Sequence, residues 1–229
     1  MRLTHLGHAC LLLEVAGQRL LIDPGAFSHV DGAGDLDAIL VTHVHPDHLD
    51  SAAVATLLSA SPKARVWAEG QAADELTSAE PSVSDRTHTM QAGDALELGA
   101  VTVTPVGERH ALILEDLPRP DNVGLVVTAD GEPTLFHPGD ALDAEHELLD
   151  DIDLLCVPVS APWGDVKDVV HFVRRVEPGR VIPIHDGLLN DAGRSLYLGH
   201  IGNFGREGGV EVLDLRGAGA VEVWAGRRD

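Results

Sequence analysis

Thr42-His43-Val44-His45-Pro46-Asp47-His48 places three histidines and one aspartate within six residues. The apolar run at 38–41 leads into it and reads as a strand. A chain leaving a strand is still extended, so His43 and His45 project to one side, where two imidazoles can share a metal ion. Pro46 favours a turn that swings Asp47 and His48 back toward a second ion beside the first. Imidazole with carboxylate suits zinc, and also iron or manganese. The bland alternative is a solvated polar loop, and the density of ligand-type side chains argues against it.

Working outward, three more residues sit in matching contexts. His110 follows the apolar run 101–106, Asp140 follows the strand ending in Phe136-His137-Pro138-Gly139, and His185 follows Val181-Ile182-Pro183-Ile184. Each alone is an ordinary loop residue. Together they put metal-type side chains at four strand ends, where ligands of open α/β sheets collect.

The rest of the chain supplies the sheets. Runs at 2–6, 10–15 and 19–22 read as a β-meander, followed by strands at 37–41 and 65–68 and helices at 51–59 and 71–78. Strands are expected at 87–90, 95–98 and 101–106, with a hairpin joining 123–128 to 133–136. A helix at 143–149, a strand at 154–157, an amphipathic helix at 165–176 and a strand at 180–184 follow. Short strands at 210–215 and 221–224 close the pattern. Two packed sheets covered by helices satisfy it. No repeat or linker divides the 229 residues, which predicts one domain over 1–229.

Charge narrows the partners. The net charge of −21, from 37 acidic against 16 basic residues, repels nucleic acid and anionic membrane surfaces. Metal ions can invert that sign inside a cleft, so a small-molecule substrate is expected, with neither nucleic acid nor membrane as partner. A homo-oligomer is left open. No apolar run approaches the roughly 20 residues of a membrane span, and the N-terminus reads as a first strand rather than a signal peptide. Cys10 and Cys156 lie in strand-like stretches and read as buried, unpaired residues, which makes the cytoplasm the expected compartment.

His43-Val44-His45-Pro46-Asp47-His48 resembles the His-x-His-x-Asp-His signature of the metallo-β-lactamase superfamily, and His110, Asp140 and His185 match its later motifs in order. Leu6-Gly7-His8-Ala9, Leu21-Ile22-Asp23-Pro24 and His137-Pro138-Gly139-Asp140 look most like its small metal-dependent hydrolases related to ascorbate-6-phosphate lactonase. The resemblance implies an α/β fold, the four-layer αβ/βα sandwich, with two divalent metal ions, zinc first and manganese or iron next. It implies that His43, His45 and His110 hold one ion, that Asp47, His48 and His185 hold the other, and that Asp140 bridges them. A metal-bridging hydroxide would then attack a small ester, lactone or phosphodiester. Asp47 could orient the water, and His48 could serve as ligand, general acid, or both. Where Asp140 stands, the secreted β-lactamases typically carry a cysteine, which argues against antibiotic hydrolysis.

Other residues carry weaker signals. Asp23 reads either as the carboxylate partner of a metal-bound imidazole or as a turn residue before Pro24. His8 and His137 are expected to line the cleft rather than bind metal. Arg109 and Arg119 read as surface arginines near enough in sequence to meet an anionic substrate. Asn122 and Trp163 read equally as pocket lining or packing. The rival functions are a nuclease, disfavoured by the acidic chain, and a thioesterase, whose usual C-terminal helical extension is not expected here. A non-hydrolytic metal-binding or redox protein is a rival of another class.

Overall fold

The alternation along the strands dictates the layers. In the computed structural model, which describes residues 1–224, Leu11, Leu13, Leu20, Ile22, Ala38 and Leu40 face one core. The residues between them, Leu12, Leu21, Ile39 and Val41, face another. Both faces of these strands are therefore buried, and they read as nearly continuous apolar runs.

The first sheet contains β1 (Arg2–His5), β2 (Leu11–Val15), β3 (Gln18–Ile22), β4 (Ala38–Val41), β5 (Arg65–Ala68) and β6 (Thr87–Thr89). The second contains β7 (Leu96–Leu98), β8 (Val101–Val106), β9 (Gly124–Ala129), β10 (Leu135–His137), β11 (Leu154–Pro158), β12 (Arg180–Ile184) and β13 (Glu211–Val212). β14 (Val221–Glu222) returns to the first sheet, pairing Val221 with Leu3. The orders are β14-β1-β2-β3-β4-β5-β6 and β13-β12-β11-β10-β9-β8-β7. Each sheet starts as an antiparallel meander and continues as parallel strands.

Helices α1 (Ser51–Ala60) and α2 (Gly70–Ala79) cover the first sheet through Val54, Leu57, Leu58 and Leu76. Helices α3 (Val166–Val176) and α4 (Asp191–Phe204) cover the second through Val169, Phe172, Val173 and Ile201. Between the sheets lies the first of these cores, which also includes Leu3, Leu125, Leu135, Cys156 and Ile184. The expected αβ/βα sandwich is what forms. Each buried leucine contributes about 1.5–3 kcal/mol relative to exposure.

Three expectations change. The helix at 143–149 is replaced by irregular chain and a short 3-10 turn, Glu147–Asp151. Arg175 takes the Leu142 and Ala144 carbonyls that such a helix would need. The closing strands shrink to Glu211–Val212 and Val221–Glu222. The fourteen-residue α4 has no counterpart in the sequence reading. Cys10 and Cys156 are free and fully buried, as expected, and burial pushes both thiols far up.

Candidate metal centre

Asp23 directly follows β3 and Thr42 directly follows β4, and this pair founds the site. Asp23 Oδ1 accepts from the Thr42 backbone N–H at 2.8 Å, and its Oδ2 accepts from the Thr42 hydroxyl at 2.7 Å. The same Oδ2 accepts from His48 Nδ1 at 2.7 Å. The Thr42 hydroxyl, its hydrogen given to Asp23, lies 3.1 Å from His43 Nδ1 and can accept from it. One buried carboxylate thus orients two imidazoles, so Asp23 is the histidine partner, not merely the turn residue before Pro24. Gly25 lets the neighbouring loop press on the histidine turn: a Cβ there would lie 1.9 Å from the Asp47 carbonyl oxygen.

The other histidines are aimed in the same way. His110 Nδ1 donates to the Ala111 carbonyl at 2.6 Å, and His185 Nδ1 to that of Ser160 at 2.7 Å. Asp140 is fixed through its backbone: its N–H donates to Asn122 Oδ1 at 3.0 Å and its carbonyl accepts from Ala111 N at 2.8 Å. Asn122 Nδ2 donates to the Pro138 carbonyl at 3.0 Å. Two backbone bonds join the sheets here, Val123 N to the Thr42 carbonyl at 3.0 Å and His185 N to the His8 carbonyl at 2.9 Å.

These restraints bring all seven expected side chains together in two groups. His43, His45, His110 and Asp140 offer ligand atoms within 4.8 Å of one another, and so do His8, Asp47, His48 and His185. The His43, His45 and His110 rings stand 4.8, 5.0 and 4.6 Å apart. Asp140 reaches both groups, with Oδ1 3.1 Å from His48 Nε2 and Oδ2 3.3 Å from His110 Nε2 and 3.2 Å from His185 Nε2. Nε2 of His43, His48, His110 and His185 and Oδ1 of Asp140 are buried without a hydrogen-bond partner. Leaving a buried polar atom unpaired costs about 1–3 kcal/mol, so five in one place mark a site that fits cations.

Charge in the cluster is tightly balanced. Burial first, then the neighbouring imidazoles, holds His43 well below the usual histidine range and His45 below it. Both are thus neutral, the form that donates a lone pair. His48 is held well above that range: burial opposes its charge, but Asp140 and Asp23 outweigh it. His185 is raised to about 9 by Asp140 and Asp47 against burial. Burial also opposes ionisation of Asp140 and Asp47, yet both stay below the carboxylate range because imidazoles surround them.

The weaker candidates separate. Gly187 N–H donates to His8 Nδ1 at 3.2 Å, so Nε2 carries the proton and donates to Asp47 Oδ2 at 3.0 Å. His8 therefore touches the site as a donor, without a lone pair to offer. His137 does not line the cleft. It is fully buried, donating from Nε2 to the Ala9 carbonyl at 2.9 Å and accepting the Gly139 N–H at Nδ1 at 3.2 Å. Arg119 braces the loop through the His110 carbonyl, and Arg109 lies on the surface, 3.5 Å from Asp121. Trp163 does more than pack: its indole N–H donates to Asp140 Oδ2 at 2.9 Å. Sequence reasoning missed Thr42, whose place between Asp23 and the first histidine was the available clue. It also missed Arg194, which bonds Asp186 beside His185 at 2.6 Å and had no motif to mark it.

Comparison with known proteins gives a consistent picture. A family model described as beta-lactamase superfamily domain matches residues 2–185. Protein Rv0786c of Mycobacterium tuberculosis is 40% identical over 203 residues, 88% of this chain and 91% of that one. A UPF0173 metal-dependent hydrolase of Carboxydothermus hydrogenoformans is 31% identical over 199 residues, 81% of this chain and 84% of that one. The metallo-β-lactamase fold protein YhfI from Bacillus subtilis shares the fold with a TM-score of 0.64 at 16% identity, covering 99% of this chain and 98% of that one.

Proposed function

The chain belongs to the metallo-β-lactamase superfamily and is a metal-dependent hydrolase of it, and from that premise we propose that it works with two divalent ions on a small ester, lactone or phosphodiester. One observation carries the reading: four imidazole nitrogens and one carboxylate oxygen are buried, unpartnered and gathered around Asp140. Two ions there would supply a nucleophilic water of lowered pKa and would polarise the carbonyl or phosphoryl oxygen under attack. Zinc suits the donor set best, with manganese or iron next.

His43, His45 and His110 would hold one ion, Asp47, His48 and His185 the other, and Asp140 both. His48 acts as a ligand rather than a general acid. Its Nδ1 is given to Asp23, and the remaining nitrogen cannot both bind an ion and carry a proton. Asp47 is 23% exposed at its side chain, against 3% for Asp140. Asp47 would therefore be the carboxylate that orients the attacking water from the open side, while Asp140 is buried. No helix among the described residues is long and apolar enough to cross a membrane. Two buried free thiols suit a reducing compartment such as the cytoplasm.

Elemental analysis of protein purified without chelator should approach two transition-metal ions per chain. Activity on a generic ester should vanish with chelator and return with zinc or manganese. A fully loaded preparation holding one ion or none overturns the two-ion reading.

A further inference from the structure

The loop between β8 and β9 carries more than His110. It exposes Leu112 at 51%, Leu114 at 60% and Leu117 at 48%. Exposed apolar side chains clustered beside a reaction centre mark a binding surface. Between this loop and α3 lies a groove of about 460 Å³, lined in part by Ala111, Leu112, Leu142, Trp163 and Phe172. The groove shares two walls with the metal centre. Trp163 donates to Asp140 Oδ2 at 2.9 Å, and Ala111 N donates to the Asp140 carbonyl at 2.8 Å.

Resting on the hydrolase reading, we propose that this groove holds the apolar acyl chain of the substrate, which selects esters or lactones over phosphodiesters. Asp143, Asp168 and His171 also line the groove, and its two arginines do not make it an anion receptor. Arg175 gives its nitrogens to the Leu142 and Ala144 carbonyls, and its guanidinium lies 5.6 Å from the Phe172 ring centre. Its stem therefore extends the apolar wall. Arg119 is held by the His110 carbonyl and by Asp143 at 3.3 Å. A separate cavity of about 850 Å³ carries Glu69, Asp94, Glu108 and Asp121 in its lining, with Arg109 as its one cation, so it offers no anion site either.

The test compares p-nitrophenyl acetate, butyrate and octanoate on the metal-loaded enzyme. Burying one methylene is worth roughly fourfold, so kcat/KM should rise at least about tenfold from acetate to octanoate even with partial burial. In Leu112→Asp the octanoate-to-acetate ratio should collapse toward one. In Leu196→Asp, on the exposed face of α4, the ratio should stay unchanged. Independently of turnover, 1-octanol should perturb tryptophan fluorescence saturably, and Leu112→Asp should abolish the change. Esters cleaved with a flat chain-length profile overturn the groove while the hydrolase reading survives. Two bound ions with no turnover of any ester, lactone or phosphodiester, but saturable octanol binding lost in Leu112→Asp, overturn the proposed substrate reading and keep the groove as a site for an apolar chain. If Leu112→Asp changes only the sedimentation mass and leaves the ratio intact, the patch is a contact with a second copy and the proposal fails.

Discussion

At the scale of the residue, the proton on one ring nitrogen separates His8 from the histidines beside it. His48, His110 and His185 each give Nδ1 to an oxygen and turn Nε2 inward. His8 receives an N–H at Nδ1 instead, from Gly187, so its Nε2 must donate. Ligand-type spacing alone groups His8 with Asp47, His48 and His185; the bonding pattern removes it. His8→Ala should therefore keep two ions per chain while losing about 10-fold or more in activity, as outer partners of ligands typically do. His185→Ala should retain about one ion. Elemental analysis of both variants decides, and a one-ion His8→Ala protein would make His8 a ligand after all. The seven ligand candidates were legible because metal-type side chains at strand ends are dense and directional. The tautomer of His8 was not, because it depends on a backbone N–H 179 residues away. Trp163 was half legible: a tryptophan near the site is visible in the sequence, but its bond to Asp140 follows from the fold.

At the scale of the element, α4 shows how a helix can escape the sequence. Only Arg194 and Ile201 of its fourteen residues are buried, so no apolar stripe marks it, and Gly193, Gly199 and Gly202 each weaken helix propensity. What anchors it is charge. Arg194, with a side chain 10% exposed, donates to Asp186 at 2.6 Å and to both oxygens of Asp214 at 2.6 and 2.7 Å. Asp186 is the neighbour of His185, whose φ of 58° holds it in the left-handed region. The helix thereby braces a strained candidate ligand through one arginine. Arg194→Met leaves Asp186 buried without its partner and should cost about 3 kcal/mol of stability, with Arg194→Lys recovering part. Denaturant unfolding measures both, and a loss within about 0.5 kcal/mol, the ordinary surface effect, would remove the brace. Acid sensitivity gives a second reading. The Arg194 hydrogen bond, working against burial, keeps the Asp214 carboxyl below its ordinary value. Its stabilisation is complete above about pH 4, the unfolded carboxylate range, and is lost as pH falls through the lowered value. Arg194→Met should lack that acid-side decline.

At the scale of the whole molecule, the two sheets were legible because burial on both faces writes long apolar strands, and helices α1 to α3 because turns and apolar spacing bracket them. Besides α4, the helix expected at 143–149 and the last two strands departed; at 142–144 bonds from Arg175 to backbone carbonyls stand where a helix would make its own. Charge acts at the same scale. Thirty-seven acidic residues against 16 basic ones surround the proposed centre with a repulsive field. A protein that neutralises several phosphates draws its affinity from clustered Lys and Arg, with roughly one counterion released per contact. The clearest clusters are Arg174-Arg175 and Arg227-Arg228, and the second lies outside the described residues. In the first, Arg174 donates to the Phe204 carbonyl at 2.7 Å and Arg175 to the Leu142 and Ala144 carbonyls, so both spend bonds on the protein's own backbone. Two ions would attract one phosphate locally, while the surrounding field repels a long polyanion. Hydrolysis of a small phosphodiester, if measurable, should therefore outpace cleavage of an oligonucleotide at matched salt and metal. A direct competition between the two substrates is the measurement. Efficient processing of RNA or DNA at physiological salt, abolished in His45→Ala so that no contaminating nuclease explains it, would show that local attraction at the ions overrides the field of the whole protein.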